Sequence, residues 1–94
     1  METPHLEIIW TEYMQYRARL RGFDLGEIER IVRYTGERYV DTVTRRLIAI
    51  GRHKGDLVLI PYEAEAQMLT LITIHVTTRQ QINLRLKMGR LAYE

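Results

Sequence analysis

The sequence predicts a single α+β domain in which helices lie on an antiparallel sheet. Three observations predict this class. Apolar residues recur at helical spacing up to about residue 36, they recur at every second residue from Glu37 onward, and a capped helical pattern returns at Thr78. A chain of 94 residues can bury one hydrophobic core but is too short for two. Residues 1–94 are therefore expected to form one domain.

The first half of the chain reads as a short strand followed by two helices. The apolar run Leu6–Trp10 is the expected strand, and Thr11 is placed to cap a helix that runs to about Leu20. Asp24 and Glu27 have the spacing of a capping box, in which each side chain bonds the backbone N–H of the other residue. A second helix should therefore begin after Asp24.

From Glu37 the alternating pattern indicates four strands in an antiparallel meander, because the connections between them are short. The expected strands are Arg38–Asp41, Arg46–Arg52, Asp56–Tyr62 and Met68–Thr77. Strict alternation in the last run puts Thr73 and His75 on one face with Leu71 and Thr77, and puts Ile72, Ile74 and Val76 on the other. Thr78 then caps a C-terminal helix that runs from Arg79 to about Met88.

Both faces of this sheet carry apolar residues. Leu57 and Leu59 alternate with Val58 and Ile60 along one strand, whereas a sheet with one wet face would alternate apolar with polar residues. The second face should therefore be covered as well. The last helix, a second copy of the chain or a partner protein could each cover it.

The composition is typical of a cytosolic protein, and its charge is unevenly distributed along the chain. The chain has no cysteine and no apolar stretch near the roughly 20 residues that span a bilayer, and Met1–Pro4 lacks the basic start of a signal peptide. Residues 1–44 have a net charge of −2 and residues 45–94 a net charge of +4. This excess of arginine and lysine indicates either an anionic partner, such as nucleic acid or an acidic protein, or a solvated basic surface.

The order of elements and several segments resemble the RelE/ParE-like toxin superfamily, especially its BrnT-like branch. The segments that carry the resemblance are Ile8–Thr11 opening into a helix, Asp24–Val32, Arg46–Arg52 with the hairpin to Leu57–Tyr62, and Ile74–Gln81 with its Thr78-Arg79 pair. The resemblance covers most of the chain, but as a pattern of elements rather than as a specific motif.

This resemblance implies a RelE-like fold and the toxin component of a bacterial type II toxin–antitoxin system. Many members are metal-independent endoribonucleases that cleave mRNA, some of them on the ribosome, while ParE-like members act on gyrase. The expected partners are a cognate antitoxin and RNA. The alternative is a non-catalytic RelE-like interaction module, or a homodimer, that binds an acidic protein or nucleic acid.

Metal-free RNA cleavage needs a general base, a general acid and cations near the phosphate. Histidine and arginine are the residues suited to these roles. The candidates for catalysis are His75 with Arg79, and His53 with Arg52. The candidates for RNA binding are Arg46, Lys54, Tyr62 and Arg85, with Tyr62 as either a proton donor or a stacking platform.

No metal or other cofactor is expected. The three histidines are scattered along the chain, and no two of them have the spacing of a ligand pair. Each candidate side chain also has an ordinary structural alternative. His75 and His53 could be packed or surface histidines, and the arginines could form a solvated face.

Overall fold

The computed structural model describes residues 6–94 and confirms the α+β class, with three helices and a mixed sheet of seven strands in this range. The expectation about Met1–Pro4 lies outside the described residues. The elements are β1 (Glu7–Trp10), α1 (Glu12–Arg21), α2 (Leu25–Tyr34), β2 (Arg38–Asp41), β3 (Leu47–His53), β4 (Asp56–Glu65), β5 (Met68–Leu71), β6 (His75–Thr77), α3 (Arg79–Lys87) and β7 (Leu91–Tyr93). No helix within residues 6–94 is long and apolar enough to cross a membrane.

The strands follow the order β1-β5-β4-β3-β2-β7, and β6 pairs with the first half of β4. Strands β2 to β5 pair antiparallel with their neighbours in sequence. Two pairings were not expected from the sequence, and one of them is parallel. The first strand runs parallel to β5, and β7, which follows the last helix, adds an edge beside β2. The sheet is therefore mixed.

The three helices begin where their capping residues predict. The side chains of Thr11, Asp24 and Thr78 each accept a hydrogen bond from the backbone N–H three residues further on. The second hydrogen bond predicted for the Asp24 capping box, from the backbone N–H of Asp24 to the side chain of Glu27, is not formed. Glu27 bonds an arginine of its own helix, and the backbone N–H of Asp24 donates to Nε2 of His53 at 2.8 Å.

The last predicted strand is interrupted, so the prediction of one strand from Met68 to Thr77 is wrong. Tyr62 of β4 pairs with Leu71, and Leu59 of β4 pairs with His75. Three residues, 72–74, therefore lie opposite two residues, 60–61. One extra residue in one strand of an antiparallel pair is a β-bulge, and it reverses the alternation of side chains beyond it.

Pro61 gives a physical reason for the bulge. Its carbonyl accepts a hydrogen bond from the backbone N–H of Ile72 at 3.0 Å, so the backbone polar groups of Pro61 face the outer strands. Proline has no N–H, so one hydrogen bond of a regular ladder cannot form at this point. After the bulge, Ile74 packs into the same core as Leu71. Ile72 lies on the opposite face of the sheet, together with Thr73 and His75. The alternation predicted for this run is wrong at Leu71 and Ile72 for this reason.

Each face of the sheet is covered by helices. On one face, α1 and α2 bury a core with the inward residues of β3, β4 and β5; its members include Met14, Ile28, Val32, Val58, Ile60 and Leu69. On the other face, called here the α3 face, Ile82 and Leu86 of α3 pack on Ile48, Ile50, Leu57 and Leu59. The last helix thus covers the second apolar face.

Candidate functional site

A groove of about 220 Å³ opens on the α3 face, beside the C-terminal half of α3. Its floor is apolar and its walls are polar. The floor is formed by Ile48, Leu59, Pro61 and Ile72, and the walls by Asp41, Thr44, Arg46, Thr73, His75 and Arg85. Three residues expected at an RNA site, Arg46, His75 and Arg85, therefore lie together in one groove.

Strand periodicity and the bulge place these side chains. Arg46 immediately precedes β3 and points to the face of Ile48, two residues further on. His75 reaches this face because the bulge reverses the alternation after Leu71. Arg85 lies three residues after the buried Ile82, so it projects beside the contact of α3 with the sheet.

His75 is held by Arg17, which reaches it from α1. Nη2 of Arg17 lies 2.9 Å from Nδ1 of His75, and Nε of Arg17 donates to the carbonyl of Ile74 at 2.8 Å. Loss of solvation lowers the pKa of His75, and the nearby charges of Arg17, Arg85 and Arg21 lower it further. The imidazole is therefore neutral at neutral pH.

Asp41 keeps a negative charge at one end of the groove. Its Oδ1 accepts hydrogen bonds from the backbone N–H groups of Val43 at 2.8 Å and Thr44 at 3.0 Å. Burial raises the pKa of Asp41, but these two bonds and the charges of Arg90 and Arg85 outweigh burial, so the pKa lies below its ordinary value. The carboxylate therefore orders the turn before β3 and offsets part of the positive charge of Arg85.

Thr73 brings to the groove a buried hydroxyl without a partner in the described part of the chain. The residue is only 9 % exposed, and Oγ1 has no hydrogen-bond partner among residues 6–94. A buried hydroxyl without a partner is costly, so such groups usually bond a water or a ligand. Arg46, in contrast, already pairs with Glu63 at 3.2 Å, in an exposed ion pair.

His53 lies elsewhere and is buried, with 3 % of its surface exposed. Its Nε2 accepts from the backbone N–H of Asp24, and its ring meets Phe23 edge-on at 5.1 Å between centroids. These contacts fasten the connection between α1 and α2 to the end of β3. Its two neighbours in the hairpin, Arg52 and Lys54, are exposed. Arg52 donates a hydrogen bond to the carbonyl of Gly55 at 3.0 Å.

Tyr62 and Arg79 are also outside the groove. Tyr62 is 2 % exposed on the face of α1 and α2, and its hydroxyl accepts from Nη1 of Arg38 at 2.9 Å. Burial raises its pKa, while Arg38 acts in the opposite direction. Arg79 begins α3 and is bonded to Glu37 through both Nη atoms. The geometry gives both residues structural contacts, and it brings neither of them to His75.

The chain matches no protein-family model, no curated protein and no solved structure. Within residues 6–94, no group of three or more His, Asp or Glu side chains could hold a metal ion. Function has to be inferred from the groove itself. Alternation had already placed Thr73 on the face of His75, whereas no local pattern indicated Arg17, which lies 58 residues before its partner.

Proposed function

We propose that this chain binds the phosphate backbone of single-stranded RNA in the groove beside α3, as a non-catalytic interaction module that acts in the cytoplasm. One observation carries the proposal. The same small groove is lined by four side chains that can each donate a hydrogen bond into it: Arg46, Arg85, Thr73 and His75. Guanidinium groups match phosphate oxygens in pairs, and a neutral imidazole supplies one further N–H.

The dimensions of the groove favour a phosphate group over an enclosed nucleotide. Pockets that enclose drug-sized ligands measure about 300–1,000 Å³, and this groove, at about 220 Å³, is smaller. A strand of RNA would lie across the α3 face with one phosphate in the groove. The apolar floor offers no polar edge that would select a particular base.

The carboxylates near the groove do not prevent anion binding. The pair between Arg46 and Glu63 is exposed on both sides, and pairs of this kind contribute about 0–1 kcal/mol to stability. A phosphate can therefore replace Glu63 at Arg46 with little loss. The charge of Asp41 is neutralised in part by its two backbone donors and by Arg85 and Arg90.

The test is binding of a fluorescent single-stranded RNA, followed by anisotropy over a series of salt concentrations. Arg46→Ala and Arg85→Ala should each weaken binding and reduce the salt slope by about 0.7 for each phosphate that the variant no longer neutralises. Arg30→Ala is the matched control, since Arg30 is an exposed arginine of α2, which packs on the opposite face of the sheet, and pairs with Glu27. Equal effects of all three variants, or no binding by the wild type, would refute the proposal.

The second candidate is the metal-independent endoribonuclease toxin implied by the resemblance. The observation in its favour is that the lowered pKa leaves His75 unprotonated at neutral pH, beside Arg85. A general base needs a free nitrogen, however, and Nδ1 of His75 is bonded to Arg17. RNA would have to displace Arg17 before cleavage, and a cognate antitoxin would act by covering this groove.

Inducible expression in a bacterial host separates the two candidates. Growth and total RNA integrity are followed for the wild type and for the His75→Ala/Arg85→Ala double variant. Growth arrest with RNA cleavage by the wild type alone would establish the toxin. Normal growth at good soluble expression, together with RNA binding in solution, supports the interaction module.

A further inference from the structure

We propose that Arg17 locks His75 in the tautomer that carries its proton on Nε2, so that His75 acts as a hydrogen-bond donor to the RNA phosphate and not as a base. The second part of this inference rests on the proposed function. Arg17 does not line the groove and would act only through His75. It is therefore a positioning residue.

The guanidinium of Arg17 makes one hydrogen bond to the backbone beside His75 and one to the imidazole itself. Nε of Arg17 donates to the carbonyl of Ile74 at 2.8 Å, and Nη2 lies 2.9 Å from Nδ1 of the next residue, His75. The planar guanidinium holds its two donors in a fixed fork. The backbone and the ring of adjacent residues are thus held by one rigid group. Its position on α1 is itself fixed, because the next residue, Ala18, is fully buried.

The direction of the second bond determines the tautomer. Arginine has N–H donors and no acceptor, so Nδ1 of His75 must accept. A proton on Nδ1 would point at an N–H of Arg17, and both the other tautomer and the imidazolium carry such a proton. The neutral ring is therefore left with its proton on Nε2.

This tautomer decides what His75 can do in the groove. The N–H at Nε2 can donate to a phosphate oxygen, as can the hydroxyl of Thr73 in the same groove. The ring cannot take the proton of a ribose 2′-OH while Nδ1 remains bonded to Arg17. Arg17 thus favours binding over cleavage at this site.

The chain contains an internal reference for the experiment. Nε2 of His53 accepts from the backbone N–H of Asp24, so His53 carries its proton on Nδ1. Long-range ¹H–¹⁵N correlation spectra of the ¹⁵N-labelled full chain at pH 7.5 should therefore show opposite patterns for His75 and His53. His75→Ala and His53→Gln identify the two sets of signals.

Arg17→Met removes the donor and should convert His75 to an exchanging mixture of tautomers. Arg21→Met is the matched control, because Arg21 also lowers the pKa of His75 by its charge and makes no hydrogen bond to it. Arg21→Met should keep the Nε2–H pattern, and Arg17→Lys, which retains a donor, should restore it. Backbone amide spectra check the fold of each variant.

A wild-type His75 with its proton on Nδ1, or with averaged signals, would overturn the inference even if Arg17→Met does not fold. An unchanged pattern in a folded Arg17→Met variant would overturn it as well. RNA binding provides an independent readout. A locked His75 in a chain that does not bind RNA refutes the proposed function alone, whereas RNA binding with an unlocked His75 refutes this inference alone.

Discussion

The backbone N–H of Ile72 donates to the carbonyl of Pro61 at 3.0 Å, at the point where the outer strand bulges away from β4. This bond keeps the two strands together where proline offers no donor. The extra residue turns Thr73 and His75 onto the α3 face. The bulge beside a single proline of β4 thus brings two polar side chains, Thr73 and His75, into the groove.

Thr73→Val should leave the fold as stable as the wild type, or more stable by up to about 1 kcal/mol. The change keeps the branched shape of the side chain and removes a buried hydroxyl that has no partner among residues 6–94. RNA binding should weaken, since one donor of the groove is removed. Urea unfolding and anisotropy measure the two effects. Thr70→Val is the control, because Thr70 lies on β5 and does not line the groove. Equal loss of RNA binding in both variants would contradict the role of Thr73.

Gly51→Ala should destabilise the protein by about 1–3 kcal/mol through overpacking. A Cβ at position 51 would lie 2.5 Å from Cγ2 and 2.9 Å from Cγ1 of Ile31. Ile31 is β-branched and sits on α2, so its side chain cannot rotate away without strain. Gly36→Ala is the control, because no atom lies within 4 Å of a Cβ there. Similar urea midpoints for the two variants would show that β3 and α2 are not packed this closely.

The features that could be predicted from sequence are those decided by neighbours in the chain. Thr11, Asp24 and Thr78 cap their helices because the donor that each one needs is three residues away. The parallel pairing of β1 with β5 and the edge strand β7 join segments far apart in sequence, and no local pattern encodes them. The bulge opposite Pro61 could not be predicted from a local pattern either, because the register of a strand depends on its partner strand as well.

The candidate site divides in the same way. Charge and strand periodicity predicted Arg46, His75 and Arg85, and all three line the groove. The same reasoning chose His53 and Tyr62, which are buried and bonded to structural partners. Their residue types suit catalysis, but burial depends on what α1 and α2 cover. The contact of Arg17 with His75 required the fold itself.

Tyr62→Phe should cost about 1–3 kcal/mol, because it leaves a buried guanidinium nitrogen of Arg38 without a partner. Arg38 is 6 % exposed, and its Nε already lacks a partner among residues 6–94. The double variant Arg38→Met/Tyr62→Phe should therefore lose less stability than the sum of the two single changes. Urea unfolding of the four proteins completes the cycle. Additive losses would mean that the hydrogen bond contributes nothing to stability.

Glu37→Gln should remove part of the acid sensitivity of the fold. The hydrogen bond from Arg79 lowers the pKa of Glu37, against the effect of burial and with help from Tyr39. A carboxyl whose pKa is lowered on folding adds stability above its ordinary value of 4.5, and this stability is lost as the pH falls through the folded value. The effect is small because Arg79 is half exposed. Urea midpoints at pH 3 and pH 7 should differ less in this variant than in Glu63→Gln.

Tyr39→Phe should reduce the amount of stability that the protein loses as the pH rises from 9 to 11. Burial raises the pKa of Tyr39 to about 12, and the carboxylate of Glu37, which accepts from its hydroxyl at 2.6 Å, raises it as well. An unfolded tyrosine releases its proton near 10.0, so the stability gained from Tyr39 is complete below pH 10 and is lost as the pH rises toward 12. Urea midpoints at pH 9 and pH 11 should therefore fall more steeply in the wild type than in Tyr39→Phe. Tyr13→Phe is the control, because Tyr13 is 56 % exposed on α1, and a slope that flattens equally there would contradict the assignment to Tyr39.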